Sequence, residues 1–570
     1  LPPIDVPYLI EKGYERKKCT ETLLWYWTCD SDRVTCGDTN LDEYTFIGNP
    51  LISGFNTRGV DLKNEMRERF LRFFQLRNHS KIEPYPILAR WRDDIHLTIA
   101  SIADFQPHVT SGLVDPPANP LTISQPCIRL TDVDAVGNSG RHLTTFEMMA
   151  HHVFNKPKEG IEYYWMNHCV ELCHELLTEE LRINALEITY VENPWSGGGN
   201  AGPAVEVIVG GLELATLVFM NLEEDEEGEY EIKGVNYSEM DLQIVDTGYG
   251  LERFCWAAAG TPTIYEAIYP ESVSWLKQLC DFDNKITNIN VDDLDNLLGE
   301  LSKLSGIMNI EIGSDENEIY SKLIERLSER DIIVDSNQII ELMNPLSKIY
   351  AIPDHMHALC NMLGDGLVPS NAKEGYLARM MARRVMRMRD ELGIEKSLSG
   401  LAEHHMEVNF DLSNSKQTKN GLLEILNLEE ERYIETLRRG KNIVANELKK
   451  HGKEVKELPD EFYFQLNDSQ GIPPEMVVQI ANKISGGEIK LRMGFNAEIA
   501  QRHADSVKVS SLVKSKEILK IDSKISETEL LYYQNSFWLE FNAKVIDCQP
   551  IIHENKSISS TIILDKTAFY

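Results

Sequence analysis

An α+β fold is predicted for this chain: an antiparallel sheet flanked by helices, then a helical region, then a short C-terminal β segment. Three patterns carry the prediction. From about Lys81 to Cys255, short apolar runs such as "VEVIVGG", "LATLVFMNL" and "LQIVDTGYG" recur between turn residues, with helical stretches such as "YYWMNHCVELCHELLTEEL" between them. From Thr263 to about Glu488 the apolar spacing becomes helical and the residues between become charged. The final stretch, "LLYYQNSFWLEFNAKVIDCQPIIHENKSISSTIILDKTAFY", returns to alternating β-type residues with "NK" at a turn.

Taken in order, the chain opens on a Cys-rich, aromatic segment, "KKCTETLLWYWTCDSDRVTCGDTNLDEY". "LKNEMRERFLRFFQLRNH" follows as an amphipathic helix with Met66, Phe70, Phe73 and Phe74 facing inward. "CIRLTDVDAVGNSGRHLTTFEMM" reads as strand, polar loop and returning strand. Such a hairpin places Arg129 beside Phe146, a fork of donors for a phosphate next to an apolar face for a purine. Taken alone, the segment is more commonly explained by a solvated arginine and a core phenylalanine. "LQIVDTGYGLERFCWAAAG" is strand, glycine turn and helix, with Arg253 in the helix's first turn. The helix dipole disfavours a cation there, so an anion nearby would explain it.

Composition narrows the partners. The 570 residues carry a formal net charge of -33, which excludes nucleic-acid binding through a global positive field. Five arginines and no acid lie in "YLARMMARRVMRMR", so any nucleic acid must be met locally. Ten cysteines are too few for a disulfide scaffold in a chain of this length. No run of about twenty apolar residues spans a membrane, and "LPPIDVPYLIEKGYERKK" lacks a signal peptide's pattern, so a cytoplasmic protein without a membrane partner is expected.

The hairpin followed by Gly-x-Gly-Leu-Glu-Arg resembles motifs two and three of class II aminoacyl-tRNA synthetases. More narrowly, the ordered set "ARWRDDIHLTIASIADFQPHVTSG", "RHLTTFEMM", "LELATLVFMNL", "VDTGYGLER", "GLVPSNAKEGYLARMMARR", "EEERYIETLRRG" and "LNDSQGIPPE" resembles the archaeal type of alanyl-tRNA synthetase. The resemblance runs from about Gly59 to the end of the chain. It implies a class II sheet and four parts: an N-terminal extension (1–58), an aminoacylation domain (59–262), a helical tRNA-recognition domain (263–500) and a β-rich start of an editing domain (501–570). The implied reaction joins alanine and ATP to give alanyl-adenylate and pyrophosphate, then passes the alanyl group to tRNA(Ala). Alternatives are a non-catalytic tRNA-binding relative and a class II enzyme for another small amino acid.

The resemblance also implies roles. Arg129 would span the alanine carboxylate and the α-phosphate, Phe146 would stack on adenine, Arg253 would hold the outer phosphates, and Asp132 and His142 belong to the same ATP site. Asp246 would bind the alanine ammonium, with Trp195 and Val218 as pocket wall and Gly248 allowing close backbone approach. As isolated residues, Asp246 reads as a turn residue and Trp195 as packing. ATP brings Mg2+, with Glu206 and Glu213 as candidate ligands.

In "NAKEGYLARMMARRVMRMRDELG", Leu377, Met381, Val385, Met388 and Leu392 make a core face. Arg379, Arg383 and Arg387 form a cationic stripe on another face, without matching acids, and match the family's acceptor-stem helix; internal salt bridges are the commoner use of such a stripe. Asn371, which with Glu374 also reads as a capping box, and Asp468 match the pair that reads the acceptor stem's G·U wobble.

Two departures stand out. Cys19 and Cys36 keep half of a paired-cysteine pattern, but Thr22 and Leu41 take the other two positions, so no zinc is expected. The editing domain's His-x-x-x-His and Cys-x-x-x-His motifs do not occur, so the chain reads as a fragment lacking most of that domain and the dimerising region, expected as a monomer.

Overall fold

The computed structural model describes residues 4–38, 42–92, 94–131, 133–286, 294–307, 316–371, 373–410, 416–451, 458–470, 472, 474–485, 489, 491, 495, 528–531, 540–552 and 558–568. Its centre is a 12-stranded sheet: β1 (Glu15–Lys18), β2 (Trp25–Thr28), β3 (Ser80–Lys81), β4 (Leu121–Ile128), β5 (Thr145–Asn155), β6 (Ile188–Glu192), β7 (Trp195–Gly197), β8 (Asn200–Gly202), β9 (Ala204–Val209), β10 (Leu212–Glu224), β11 (Tyr230–Ile232) and β12 (Val235–Gly250). The main path runs β1-β2-β6-β9-β10-β12-β5-β4-β3, antiparallel except for the β3–β4 pair. β10 and β12 are the longest strands and lie side by side in the middle, so residues they project on one face share a floor.

The N-terminal segment joins this sheet rather than standing apart. β2 pairs with β6 in the register Trp25↔Glu192, and Glu192 takes a two-pronged Arg16 contact at 2.7 Å on each oxygen plus the Trp27 indole N–H at 2.9 Å.

Helices cover the sheet. In chain order they are α1 (Pro7–Glu11), α2 (Gly59–Gln75), α3 (Met166–Glu175), α4 (Leu251–Ala259), α5 (Ile264–Ile268), α6 (Pro270–Leu279), α7 (Phe282–Lys285), α8 (Leu294–Ile307), α9 (Glu316–Ser328), α10 (Ser336–Gly364), α11 (Lys373–Leu392), α12 (Leu398–Asn409), α13 (Lys416–His451), α14 (Asp460–Gln470) and α15 (Pro474–Ser485). The α2 face formed by Met66, Phe70, Phe73 and Phe74 is buried, as its spacing predicts; Phe70 packs on Tyr249 of β12 and Phe74 stacks on His151 of β5. An ionic group lies beneath: Arg67 of α2, half-buried, grips Glu147 of β5 through two 2.6 Å bonds, and the buried Lys63 lies 3.8 Å from the buried Glu252 of α4. Glu252 also accepts the Glu147 backbone N–H at 3.0 Å, which fixes α4 to the edge of β5. Two further strands, Val545–Ile552 and Ile558–Leu564, form an antiparallel pair near the C-terminal end.

Candidate active site

β4 and β5 form the predicted hairpin, with Cys127 opposite Phe146 and Ile128 opposite Thr145. One step beyond the ladder the Arg129 N–H donates to the Thr144 carbonyl at 2.8 Å. The pairing brings the two ends of the segment together: the Arg129 guanidinium lies 4.9 Å from the Phe146 ring centre, and its Nε donates to the Ile99 carbonyl at 2.9 Å. Between them the loop folds on Ser139, whose Oγ accepts the His142 N–H at 3.1 Å and lies 2.7 Å from His142 Nδ1. Asp132 lies outside the described residues.

Arg129, His142 and Phe146 line a cavity of about 500 Å3 that also takes in Trp195, Val218, Asp246, Gly248, Glu213 and Arg253. That size suits a small-molecule ligand. The floor comes from the β10–β12 pair, where Val218 stands opposite Asp246 and Thr216 opposite Gly248. Asp246 is buried, and burial pushes its carboxyl up to about 7. Its Oδ1 sits 3.4 Å from Nδ1 of His152, a ring that burial holds down at about 3 and therefore neutral. Among the described residues no cation pairs with this carboxyl, which lines the cavity. A side chain at Gly248 would put its Cβ 2.9 Å from the Met148 sulfur, so glycine leaves room for Met148 in the lining.

Arg253, third residue of α4, donates from Nη1 to the Glu213 carbonyl at 2.8 Å and lies 3.1 Å from the Glu213 carboxylate. Glu213 also accepts from the Thr216 hydroxyl at 2.7 Å. Glu206 lies behind Glu213 in the sheet, across the β9–β10 pair. It is not part of the cavity lining; its carboxylate accepts the Asn193 side-chain N–H at 2.8 Å and so steadies the turn leading to Trp195. Burial first, then the nearby Glu213, pushes Glu206 up to about 7. Two carboxylates that repel in this way are a setting a divalent cation would relieve, although among the described residues no cluster of three or more His, Cys, Asp or Glu could hold a metal ion. Sequence reasoning missed Arg141, a third arginine in the lining, whose Nη1 donates to the Tyr44 hydroxyl at 3.2 Å. Its place beside His142 in the loop was the available signal.

A family model for tRNA synthetases class II (A) matches residues 65–570. The chain belongs to that family. It is 45% identical over 572 residues to the alanine–tRNA ligase of Archaeoglobus fulgidus and 45% identical over 569 residues to that of Methanosarcina barkeri. The matches cover 100% and 99% of this chain but 58% of each relative, so the chain spans little more than half the length of these ligases.

In this class II (A) chain the arginines of α11 are placed otherwise than predicted. The core face of Leu377, Met381, Val385, Met388 and Leu392 is buried as expected, but Arg379 and Arg383 are also buried, at 9% and 8% exposure. Their partner is Glu429 of α13: Arg379 reaches it at 2.9 and 3.1 Å, and Arg383 lies 3.5 Å away. The expectation of a stripe without matching acids is thereby corrected, because the acid arrives from another helix. Arg387 is more open and lies 4.0 Å from Glu391. Asn371 is exposed, and its Oδ1 accepts from Arg379 Nη1. Asp468 falls in the last turn of α14; its side chain lies outside the described residues.

In the N-terminal segment Cys19 Sγ accepts the Thr22 N–H at 3.5 Å and the Cys36 N–H at 3.4 Å. Burial raises the Cys19 thiol, but these bonds, with the Thr22 hydroxyl, outweigh it and bring it down to about 7. Leu41 lies outside the described residues. Among the described residues no helix is long and apolar enough to cross a membrane.

Proposed function

We propose that this chain activates alanine with ATP and transfers the alanyl group to the terminal ribose of tRNA(Ala). The observation that carries the reading is the convergence on one cavity of Arg129 over the Phe146 ring, Arg253 at a helix start, and the buried Asp246 with Val218 opposite it and Trp195 in the same lining. The alanine–tRNA ligase relatives supply the choice of amino acid.

In the first step an alanine carboxylate oxygen attacks the α-phosphorus of ATP and the bond to pyrophosphate breaks. Little covalent help is needed; alignment and charge neutralisation dominate. Asp246 takes the alanine ammonium, while Val218 and Trp195 bound the space for its methyl group. The adenine stacks on Phe146, which leaves the Arg129 guanidinium, already over that ring, beside the α-phosphate, where charge builds as the new bond forms. His142 and Asp132 complete the ATP site. Arg253 would exchange its contact with Glu213 for the outer phosphates, and Mg2+ held by Glu213, with Glu206 behind it, would neutralise phosphate charge. Asn371 and Asp468 read the acceptor-stem G·U pair in the exposed minor groove of an A-form helix. Arg387 is the α11 arginine best placed for a tRNA phosphate; Arg379 and Arg383 serve by holding α11 and Asn371. The decisive test is alanine-dependent exchange of pyrophosphate into ATP. Exchange with alanine well above that with glycine or serine supports the reading, and its absence overturns it.

A further inference from the structure

The hairpin that carries Arg129 and Phe146 is fastened from behind by α10 and α11. Asp354 of α10 is fully buried, and its two oxygens accept the Thr144 N–H at 3.0 and 3.1 Å, with the Thr145 N–H at 3.5 Å. The carbonyl of the same Thr144 accepts the Arg129 N–H. One side of this residue therefore holds Arg129, the other is held by Asp354, and Phe146 follows two positions later.

The next residue extends the chain of contacts. His355 Nδ1 lies 3.0 Å from Asp354 and 3.3 Å from the Thr144 hydroxyl, and its Nε2 lies 3.3 Å from Arg384 Nε on α11. A guanidinium only donates, so Nε2 must accept, and the ring proton sits on Nδ1, directed at Asp354. Burial, partly opposed by the Asp354 hydrogen bond, lowers the His355 pKa and keeps this single-proton form. The other Arg384 nitrogens bond the Asp134 carboxylate at 2.9 Å and the Val133 carbonyl at 3.1 Å, both in the loop between β4 and β5.

We infer that Asp354 and Arg384 are positioning residues for adenylate formation, which hold Thr144 and the loop at Val133–Asp134 so that Arg129 and Phe146 meet ATP in register. Through His355 they tie α11 to the activation hairpin, so that docking of an acceptor stem on α11 bears directly on the site where the adenylate forms. The inference rests on the reading of function given above.

The test uses the full chain, with alanine-dependent pyrophosphate exchange and hydrogen exchange read by mass spectrometry. Asp354→Asn turns an amide N–H toward His355 Nδ1 and drives the ring to the other tautomer, whose Nε2–H then faces the Arg384 Nε–H. Arg384→Gln removes the grip on the loop. Each is expected to lower kcat for exchange roughly 10- to 100-fold, as small misplacements of an activating group do, with the KM for alanine unchanged and faster amide exchange confined to residues 128–149. The double variant is expected to recover part of the loss, because the side-chain amide oxygen that Arg384→Gln introduces would accept from Nε2–H. Should Asp354→Asn fold poorly, Arg384→Gln decides alone. Wild-type kcat and hairpin protection in a folded single variant would overturn the inference, as would equal losses in alanine KM, kcat and global protection, the mark of a merely structural role. A wild-type chain without alanine-dependent exchange would overturn the reading of function instead. The inference would then stand or fall on whether the variants loosen residues 128–149 selectively.

Discussion

Asp246 makes the sharpest prediction, because the feature proposed to bind alanine is also costly to the free protein. Its carboxyl is raised from 3.8 to about 7 by burial, a shift of roughly 4 kcal/mol against the charged form. Between these two values the folded chain holds a proton that the unfolded chain has released. Stability therefore falls as pH rises through this window, and the full penalty is present above about 7. Alanine's ammonium binds the carboxylate form, so below about 7 binding must first expel a proton. The KM for alanine in pyrophosphate exchange should be flat above pH 7 and rise roughly tenfold per unit below it, while the KM for ATP should not follow.

Asp246→Asn should remove the charged form and with it the pH dependence of alanine binding, at the cost of very weak binding at every pH. The same variant should melt higher than the wild type at about pH 8, by an amount that shrinks toward pH 6. Glu206 and Glu252 are also pushed up to about 7, but both remain in the variant, so the difference between the two proteins isolates Asp246. An alanine KM that is level from about pH 6 to pH 8, or a variant no more stable than the wild type at pH 8, would refute the reasoning.

Three other outcomes are expected. Arg129→Ala should cost roughly 2 to 4 kcal/mol of transition-state stabilisation in pyrophosphate exchange, the range for losing one preorganised donor to developing charge, and Arg129→Lys should recover only part of it. Arg379→Ala should destabilise the fold, because Glu429, 1% exposed, keeps Arg383 alone as a cationic partner among the described residues; a loss near the lower end of about 3–5 kcal/mol should show in denaturant unfolding, with alanine activation intact below the transition. Asn371→Ala and Asp468→Ala should erode the preference for G·U over G·C in aminoacylation while leaving pyrophosphate exchange unchanged. Charging of the two tRNAs, with melting curves alongside, decides this.

The hairpin was legible in the sequence because its information is local: β-type residues on either side of a loop rich in Gly, Asn and Asp leave one way to pair, and pairing alone brings Arg129 to Phe146. The start of α4 was legible for the same reason, from Gly-x-Gly before an apolar helix. What could not be read was who neutralises whom across long separations. Arg379 and Arg383 carry no acid within a helical turn and so looked free, yet Glu429 lies fifty residues on, in α13. The pairing of β2 with β6 could not be read either, since nothing in "WYWT" names β6 as its partner. Asp354, in "DHMH", meets Thr144 across 210 positions, beyond any spacing rule.

These misses share a cause that bears on how the molecule works. A hairpin of two strands cannot satisfy its own tip, because the backbone N–H groups that border the loop have no ladder partner. Here Thr144 finds that partner in α10, and the loop beyond is pressed so closely on the same helix that a Cβ at Gly137, where φ is +85°, would lie 2.0 Å from the Ser347 carbonyl oxygen. Tyr265 of α5 closes the remaining side, accepting the Gly137 N–H at 2.7 Å and donating to the His142 carbonyl at 2.5 Å. The helical region is thus part of the candidate site's scaffold rather than an appendage to it. The geometry of Arg129 and Phe146 is set as much by residues near 265 and 354 as by the strands that bear them.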